Sequence, residues 1–154
     1  MLSPDEIREI DEEAARLALR RSAVIEALRV VQRHRGWISD EAVADLALHL
    51  GLSGADVDSV ATFYSFVFRR PVGRHVILLC DSVSCWIMGC GALRDHFRVR
   101  RGLRPGETSA DGRFTLLPAA CLGLCERAPA LLVDGEAHGD VAPGAIDALL
   151  ERYP

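Results

Sequence analysis

The chain has 154 residues, 49% of them hydrophobic, and a formal charge of −4. That length allows one medium domain or two small ones with a real core and excludes a disordered chain, while the acidic balance and scattered arginines give no footprint for nucleic acid. All eighteen basic residues are arginine and asparagine is absent too, which excludes a Walker-A phosphate loop, a Schiff-base lysine and N-glycosylation.

Ser3, Pro4 and Glu6 form a helix-start signature: a serine cap, proline at the first helical position, and a glutamate that can reach back to the cap. The helix that follows is expected to place Ile7, Ile10, Ala14 and Leu17 on one inward stripe. A second helix is predicted to start near Ser22, carry Val24, Ile25, Leu28 and Val31 inward, and stop at Gly36. Ser39 with Asp40 and Glu41 puts a cap and acids at the positive end of a third, running through Val43, Leu46, Ala47 and Leu50 to Gly51. Ser53 and Asp56 open a fourth, with Val57, Val60, Ala61 and Tyr64 facing inward. These amphipathic segments predict a four-helix bundle over residues 1–70. A helix-turn-helix DNA reader is the alternative, and the absence of a basic recognition helix weighs against it. Phe63, Tyr64, Phe66, Val67 and Phe68 concentrate the aromatics just before Arg69, Arg70 and Pro71. They are read as the hinge where the bundle docks on a second domain, with ordinary helix core as a compatible alternative.

After Pro71 the pattern becomes α/β. His75 to Leu79 has strand length and runs directly into Cys80; Cys85 to Arg101 is expected to be one helix. Phe114 to Pro118 is a second strand leading to Cys121, and Ala130 to Val133 a third. Asp134, Gly135 and Glu136 turn the chain into a short fourth strand, and Pro143 starts a last helix through Ile146, Leu149 and Leu150. This β-α-β-β-α order over residues 71–154, with cysteine pairs just beyond strand ends, fits a thioredoxin-like sheet. The C-x-x-C of a thioredoxin redox site is missing. With five cysteines, no signal peptide and no long apolar run, a soluble protein in a reducing, cytoplasmic setting is expected.

The cysteines carry the chemistry. Cys80 and Cys85 are spaced C-x4-C, and Cys121 and Cys125 are spaced C-x3-C. Two close pairs brought together by folding make a four-thiolate site, and soft thiolates suit iron–sulfur clusters and zinc. C-x4-C is also the opening of the plant-type ferredoxin loop, which favours a [2Fe–2S] cluster; a zinc-stabilised interaction module remains the non-redox alternative. A cluster on four thiolates is an anion and needs donors. Gly123 offers close backbone approach, and the helix start at Cys85 offers free N–H groups. Leu122, Leu124, Val83, Trp86 and Ile87 are expected to form an apolar lid. Cys90 is read as the thiol left out: on a helix beginning at Cys85 it would be rotated about 140° away, although a C-x4-C-x4-C ligand triplet is the alternative. His34, His49, His75, His96 and His138 lack ligand spacing. Gly89-Cys90-Gly91 opens like a G-x-G-x-x-G, but Arg94 stands in the third glycine's place, so no dinucleotide site is supported.

The segments Val60-Ala-Thr-Phe-Tyr-Ser65, Pro71-Val-Gly-Arg-His-Val76, Cys80-Asp-Ser-Val-Ser-Cys85, Asp111-Gly-Arg-Phe-Thr-Leu-Leu-Pro118 and Cys121-Leu-Gly-Leu-Cys125 closely resemble the E subunits of bacterial NADH:quinone oxidoreductase, respiratory complex I. The resemblance runs from about Ile25 to Tyr153. It implies a helical bundle followed by a thioredoxin-like ferredoxin domain in which Cys80, Cys85, Cys121 and Cys125 hold one [2Fe–2S] cluster. It also implies a heterodimeric partner, the flavin subunit that binds FMN and NADH, within the peripheral arm on the cytoplasmic side of the inner membrane, with no membrane insertion of its own. The role implied is transient storage of one electron from reduced flavin. The equivalent module of soluble NAD-linked formate dehydrogenases and NAD-reducing hydrogenases is the alternative setting. Trp86 stands where the family often has histidine, and Cys90 has no ligand counterpart.

Overall fold

Serine caps set the helices of the first half. In the computed structural model, which describes residues 1–154, α1 spans Pro4–Ala15. The Glu6 N–H donates to Ser3 Oγ at 3.2 Å and the Ser3 N–H to Glu6 Oε2 at 2.7 Å, a closed capping box. A short 3-10 turn, Arg20–Ala23, leads into α2, Val24–Arg35, which ends at Gly36 with φ +82°. Ser39 caps α3, Asp40–Leu50, by accepting from the Ala42 N–H. Ser53 and Asp56 close a second capping box on α4, Gly54–Phe63. Ile10, Leu28, Val31, Ile38, Leu46 and Val57 meet in one buried apolar core shared by these helices.

The stripe expected on α1 is rotated. Ile7 and Leu17 are exposed, whereas Glu6, Ile10 and Ala14 face inward. The cause is electrostatic: Arg35, at the end of α2, grips the buried Glu6 carboxylate through Nε and a terminal nitrogen, both at 2.7 Å. Burying a carboxylate is tolerable only with such a fork-shaped partner. Tyr64 also departs from its expected place, since it is the residue at which α4 ends and its ring is exposed. Phe63 and Phe66 are exposed as well, so this aromatic run is not ordinary helix core. The turn beyond them is held by Gln32, whose amide donates to the Phe66 carbonyl at 2.8 Å and accepts from the Phe68 N–H at 2.7 Å.

Contacts divide the chain into two compact units, Met1–Pro71 and Val72–Pro154. The second unit is built on a five-stranded sheet in the order β2-β3-β1-β4-β5: β1 is His75–Cys80, β2 Glu107–Thr108, β3 Phe114–Ala119, β4 Leu131–Val133 and β5 Glu136–His138. β1 and β3 run parallel, with His75 opposite Phe114 and Cys80 opposite Ala119. All other pairings are antiparallel. Between β1 and β2 lie α5, Val83–Ile87, and α6, Cys90–Arg101; α7, Ile146–Leu150, follows β5 after a 3-10 turn at Pro143–Ala145. Alternate strand residues Ile77, Leu79, Phe114, Leu116, Leu131 and Val133 join Leu93 and Phe97 of α6 and Ile146 and Leu150 of α7 in a second buried core. Asp134 and Gly135, both at positive φ, close the β4–β5 hairpin as a two-residue turn of the twist-matched kind.

The single helix expected from Cys85 to Arg101 is two. Gly89 adopts φ +101° between α5 and α6, a left-handed conformation that ends one helix and caps the next. β2 has no counterpart in the sequence expectation. It is only two residues long and adds to β3 partly through a Thr108–Thr115 hydroxyl contact of 2.8 Å.

The Glu6 carboxyl is lowered from its ordinary 4.5 to about 2, first by the Arg35 hydrogen bonds, against burial. Because the folded value lies below the unfolded one, the pair stabilises the fold fully above the ordinary carboxylate pKa and is lost as pH falls from about 4.5 towards 2, a contribution of about 3 kcal/mol. Urea unfolding as a function of pH should show that loss in the wild type. Arg35→Ala, which strands the buried carboxylate, should cost about 3–5 kcal/mol at neutral pH.

Candidate metal centre

The parallel β1–β3 pairing places the chemistry. Cys80 is the last residue of β1 and sits opposite Ala119, the last residue of β3, so the loop carrying Cys121 leaves the sheet beside it. Two backbone bonds fix that end: the Cys80 N–H donates to the Ala130 carbonyl at 3.2 Å, and the Asp81 N–H to the Ala119 carbonyl at 3.0 Å. Carboxyl ends of parallel strands are where open α/β sheets form sites.

The thiols come in pairs. Cys121 and Cys125 have sulfurs 3.3 Å apart, and Cys80 and Cys85 lie in one buried cluster where each shifts the other's thiol. The pairs adjoin each other: the Leu122 N–H, from the loop of the second pair, lowers the Cys80 thiol, and Cys80 in turn raises the Cys125 thiol. All five cysteines are free. A binuclear core needs two thiolates at each iron, whereas one tetrahedral zinc draws all four to the same centre. Two adjoining pairs supply the four thiolates that a binuclear core requires.

Polar donors surround the sulfurs. The Gly123 N–H donates to Cys121 Sγ at 3.4 Å, and Ser82 Oγ lies 3.2 Å from Cys80 Sγ. Gly123 stands at φ +79° with open space where a Cβ would be, so the left-handed backbone, rather than crowding, is what calls for glycine. As a thiol, Cys85 is pushed up to about 11 by burial and by the neighbouring Cys80, against a hydrogen bond from the Ala130 N–H. Burial also raises Cys80, but the Ser82 hydroxyl and N–H and the Leu122 N–H bring it below its ordinary value. The Cys125 thiol is raised by its neighbour Cys121, while the Ser84 hydroxyl pulls the other way. Ser82 and Ser84 are the residues that sequence reasoning passed over; the serine at every second position inside Cys80-Asp-Ser-Val-Ser-Cys85 was the signal that could have found them.

Two expectations about the surroundings are corrected. Leu122 and Leu124 do pack on the buried cysteines, but Val83, Trp86 and Ile87 project outward, each about two-thirds exposed, and do not form a lid. Cys90 does not face away. With the helix broken at Gly89, it opens α6 and lies fully buried in one cluster with Cys80, Cys85, Ala128 and Ala130. A rotation of about 140° away from Cys85 holds only along one continuous helix, and Gly89 interrupts it.

A model of the thioredoxin-like [2Fe–2S] ferredoxin family matches residues 10–154, and the chain belongs to that family. Among its relatives, the E subunit of the NADH-quinone oxidoreductase of Pseudomonas aeruginosa is 47% identical over 153 residues, covering 99% of this chain and 92% of that protein. Its counterpart in Escherichia coli strain K12 is 50% identical over 133 residues, covering 86% of this chain and 80% of its own. An NAD+-reducing [NiFe]-hydrogenase in the H2-reduced state superposes with a TM-score of 0.71 at 31% identity over 84% of this chain, which spans only 22% of the hydrogenase chain. The resemblance to complex I E subunits carried by the sequence motifs is thereby borne out.

Exposure predicts thiol chemistry. Cys121 and Cys125 are exposed, and Cys80, Cys85 and Cys90 are buried. Folded protein from which iron has been removed under reducing conditions should show two fast-reacting thiols with a colorimetric disulfide reagent and three that react only on unfolding.

Proposed function

We propose that the chain is the electron-carrier subunit of an NADH:quinone oxidoreductase, holding one [2Fe–2S] cluster on Cys80, Cys85, Cys121 and Cys125 and exchanging electrons with the FMN of a flavin- and NADH-binding partner. The observation that carries this reading is the pairing of the four thiols at the β1/β3 end, in a chain whose relatives over nearly its full length are E subunits of that enzyme. The chemistry such a cluster supplies when bound is storage of a single electron.

The chain's own residues do the rest. Cys80, Cys85, Cys121 and Cys125 would hold the two irons through their thiolates. N–H groups of Leu122, Gly123 and Ala130 and the Ser82 hydroxyl offset negative charge on sulfur. Leu122 and Leu124 keep water from the buried pair, while the exposed Cys121 and Cys125 keep the other within reach of a partner surface. The proposal includes residues 1–70 as a four-helix bundle and 71–154 as the ferredoxin domain, which the shared helical core and the division at Pro71 support. It also includes a peripheral place on the cytoplasmic side of the inner membrane; no helix is long and apolar enough to cross a membrane. The likeness to an NAD+-reducing hydrogenase favours a second reading, the same module in a soluble NAD-linked enzyme. Co-purification from the native host separates the two by the subunits recovered.

Cys→Ser at position 80, 85, 121 or 125 should remove or sharply alter the binuclear EPR signal of the reduced protein, and Cys90→Ser should leave it unchanged. A bleached Cys90→Ser variant beside an unaffected member of the quartet would refute the ligand set. Anaerobic titration with NADH should leave the isolated chain oxidised and reduce it once the flavin partner is added. Reduction at a competent rate without that partner would reveal a nicotinamide site in this chain.

A further inference from the structure

Four helices in this chain begin at a serine, and three of those serines use their hydroxyl as a cap. Ser3, Ser39 and Ser53 each accept a hydrogen bond from a backbone N–H in the first turn. Ser82, at the start of α5, has the same extended backbone, φ −68° and ψ 166°, and its carbonyl accepts the first helical bond from the Trp86 N–H at 2.8 Å. Yet its side chain caps nothing. The hydroxyl is turned instead to Cys80 Sγ, at 3.2 Å. A cap would use a lone pair of the hydroxyl and leave its proton free, so the proton of this non-capping hydroxyl is available to the sulfur it faces.

Between a hydroxyl and a thiol, either group can donate. Once Cys80 is bound to iron that ambiguity ends, because a ligated thiolate has no proton to give. Ser82 must then be the donor and the sulfur the acceptor. Reduction places one more negative charge on the cluster and its thiolates, so a donor to sulfur stabilises the reduced state more than the oxidised one. Cys80 is almost fully buried, and water cannot readily substitute for the missing donor.

We infer that Ser82 is a positioning residue of the centre, whose hydroxyl donates to the Cys80 sulfur and holds the reduction potential of the bound cluster upward. This inference rests on the four-cysteine cluster proposed above. It assigns Ser82 a role in tuning and none in ligation.

The test is an EPR-monitored redox titration of the full chain carrying its cluster, for the wild type and for Ser82→Ala, Ser82→Gly and Ser82→Thr. Alanine and glycine should lower the equilibrium constant for one-electron reduction by about tenfold, moving the midpoint about 59 mV more negative. Threonine, which keeps the hydroxyl, should restore it. Glycine is a tolerated helix start and provides the reading if alanine folds poorly. Variants that keep cluster content but show an unshifted midpoint, with altered thermal unfolding or without it, overturn the inference and leave the cluster reading standing. A wild-type protein that takes up no binuclear cluster on reconstitution overturns both.

Discussion

The parallel register of β1 against β3 is the constraint on which the rest depends. Leu79 and Cys80 are neighbours that point to opposite faces: Leu79 is locked in the apolar core with Phe97 and Leu116, and Cys80 therefore has to emerge on the other side among Cys85, Cys90 and Ala130. A slip by one residue would exchange them and place a thiolate in hydrocarbon, so packing of the sheet core and orientation of the first cysteine are a single specification. The bonds from Cys80 to Ala130 and from Asp81 to Ala119 then tie that end to both neighbouring segments. The centre borrows its precision from the sheet.

The two cysteine pairs live in different surroundings. Cys80 and Cys85 are buried, and the high value of the Cys85 thiol is a measure of how poorly that location accommodates an uncompensated charge. Cys121 and Cys125 lie on an exposed loop where solvent supplies part of the compensation. Donors are accordingly densest around Cys80, where no solvent helps. An electron carrier requires both conditions, a sheltered side that holds its potential steady and an open side near a partner.

Much of this was legible in sequence because it is local. Serine caps followed by acids, glycines after the last apolar residue of α2 and α3, and the Asp134-Gly135 turn act through the nearest few residues, and each lies where local chemistry puts it. The cysteine spacing likewise announces thiolate pairs. What was not legible depends on distant partners. Glu6 is buried only because Arg35 arrives from another helix, and no α1 periodicity contains that information. Gly89 could have continued a helix at modest cost, and its left-handed φ is a tertiary outcome that moved Cys90 from an expected outer face into the buried cysteine cluster. Ser82 drew no notice in the sequence, since residue type does not reveal which neighbour a hydroxyl faces.

The ends of the sheet have a bearing on how such a protein survives before it is assembled. An open sheet presents unpaired backbone groups along its outer strands, and those rows can recruit another chain into continued pairing. Here the outer strands are β2, two residues long, and β5, three residues long with Glu136 at its start. The long strands β1 and β3 are both internal. The apolar middle of β1, Ile77 to Leu79, is thus paired on both sides, and the outermost strands are too brief to template a fibril.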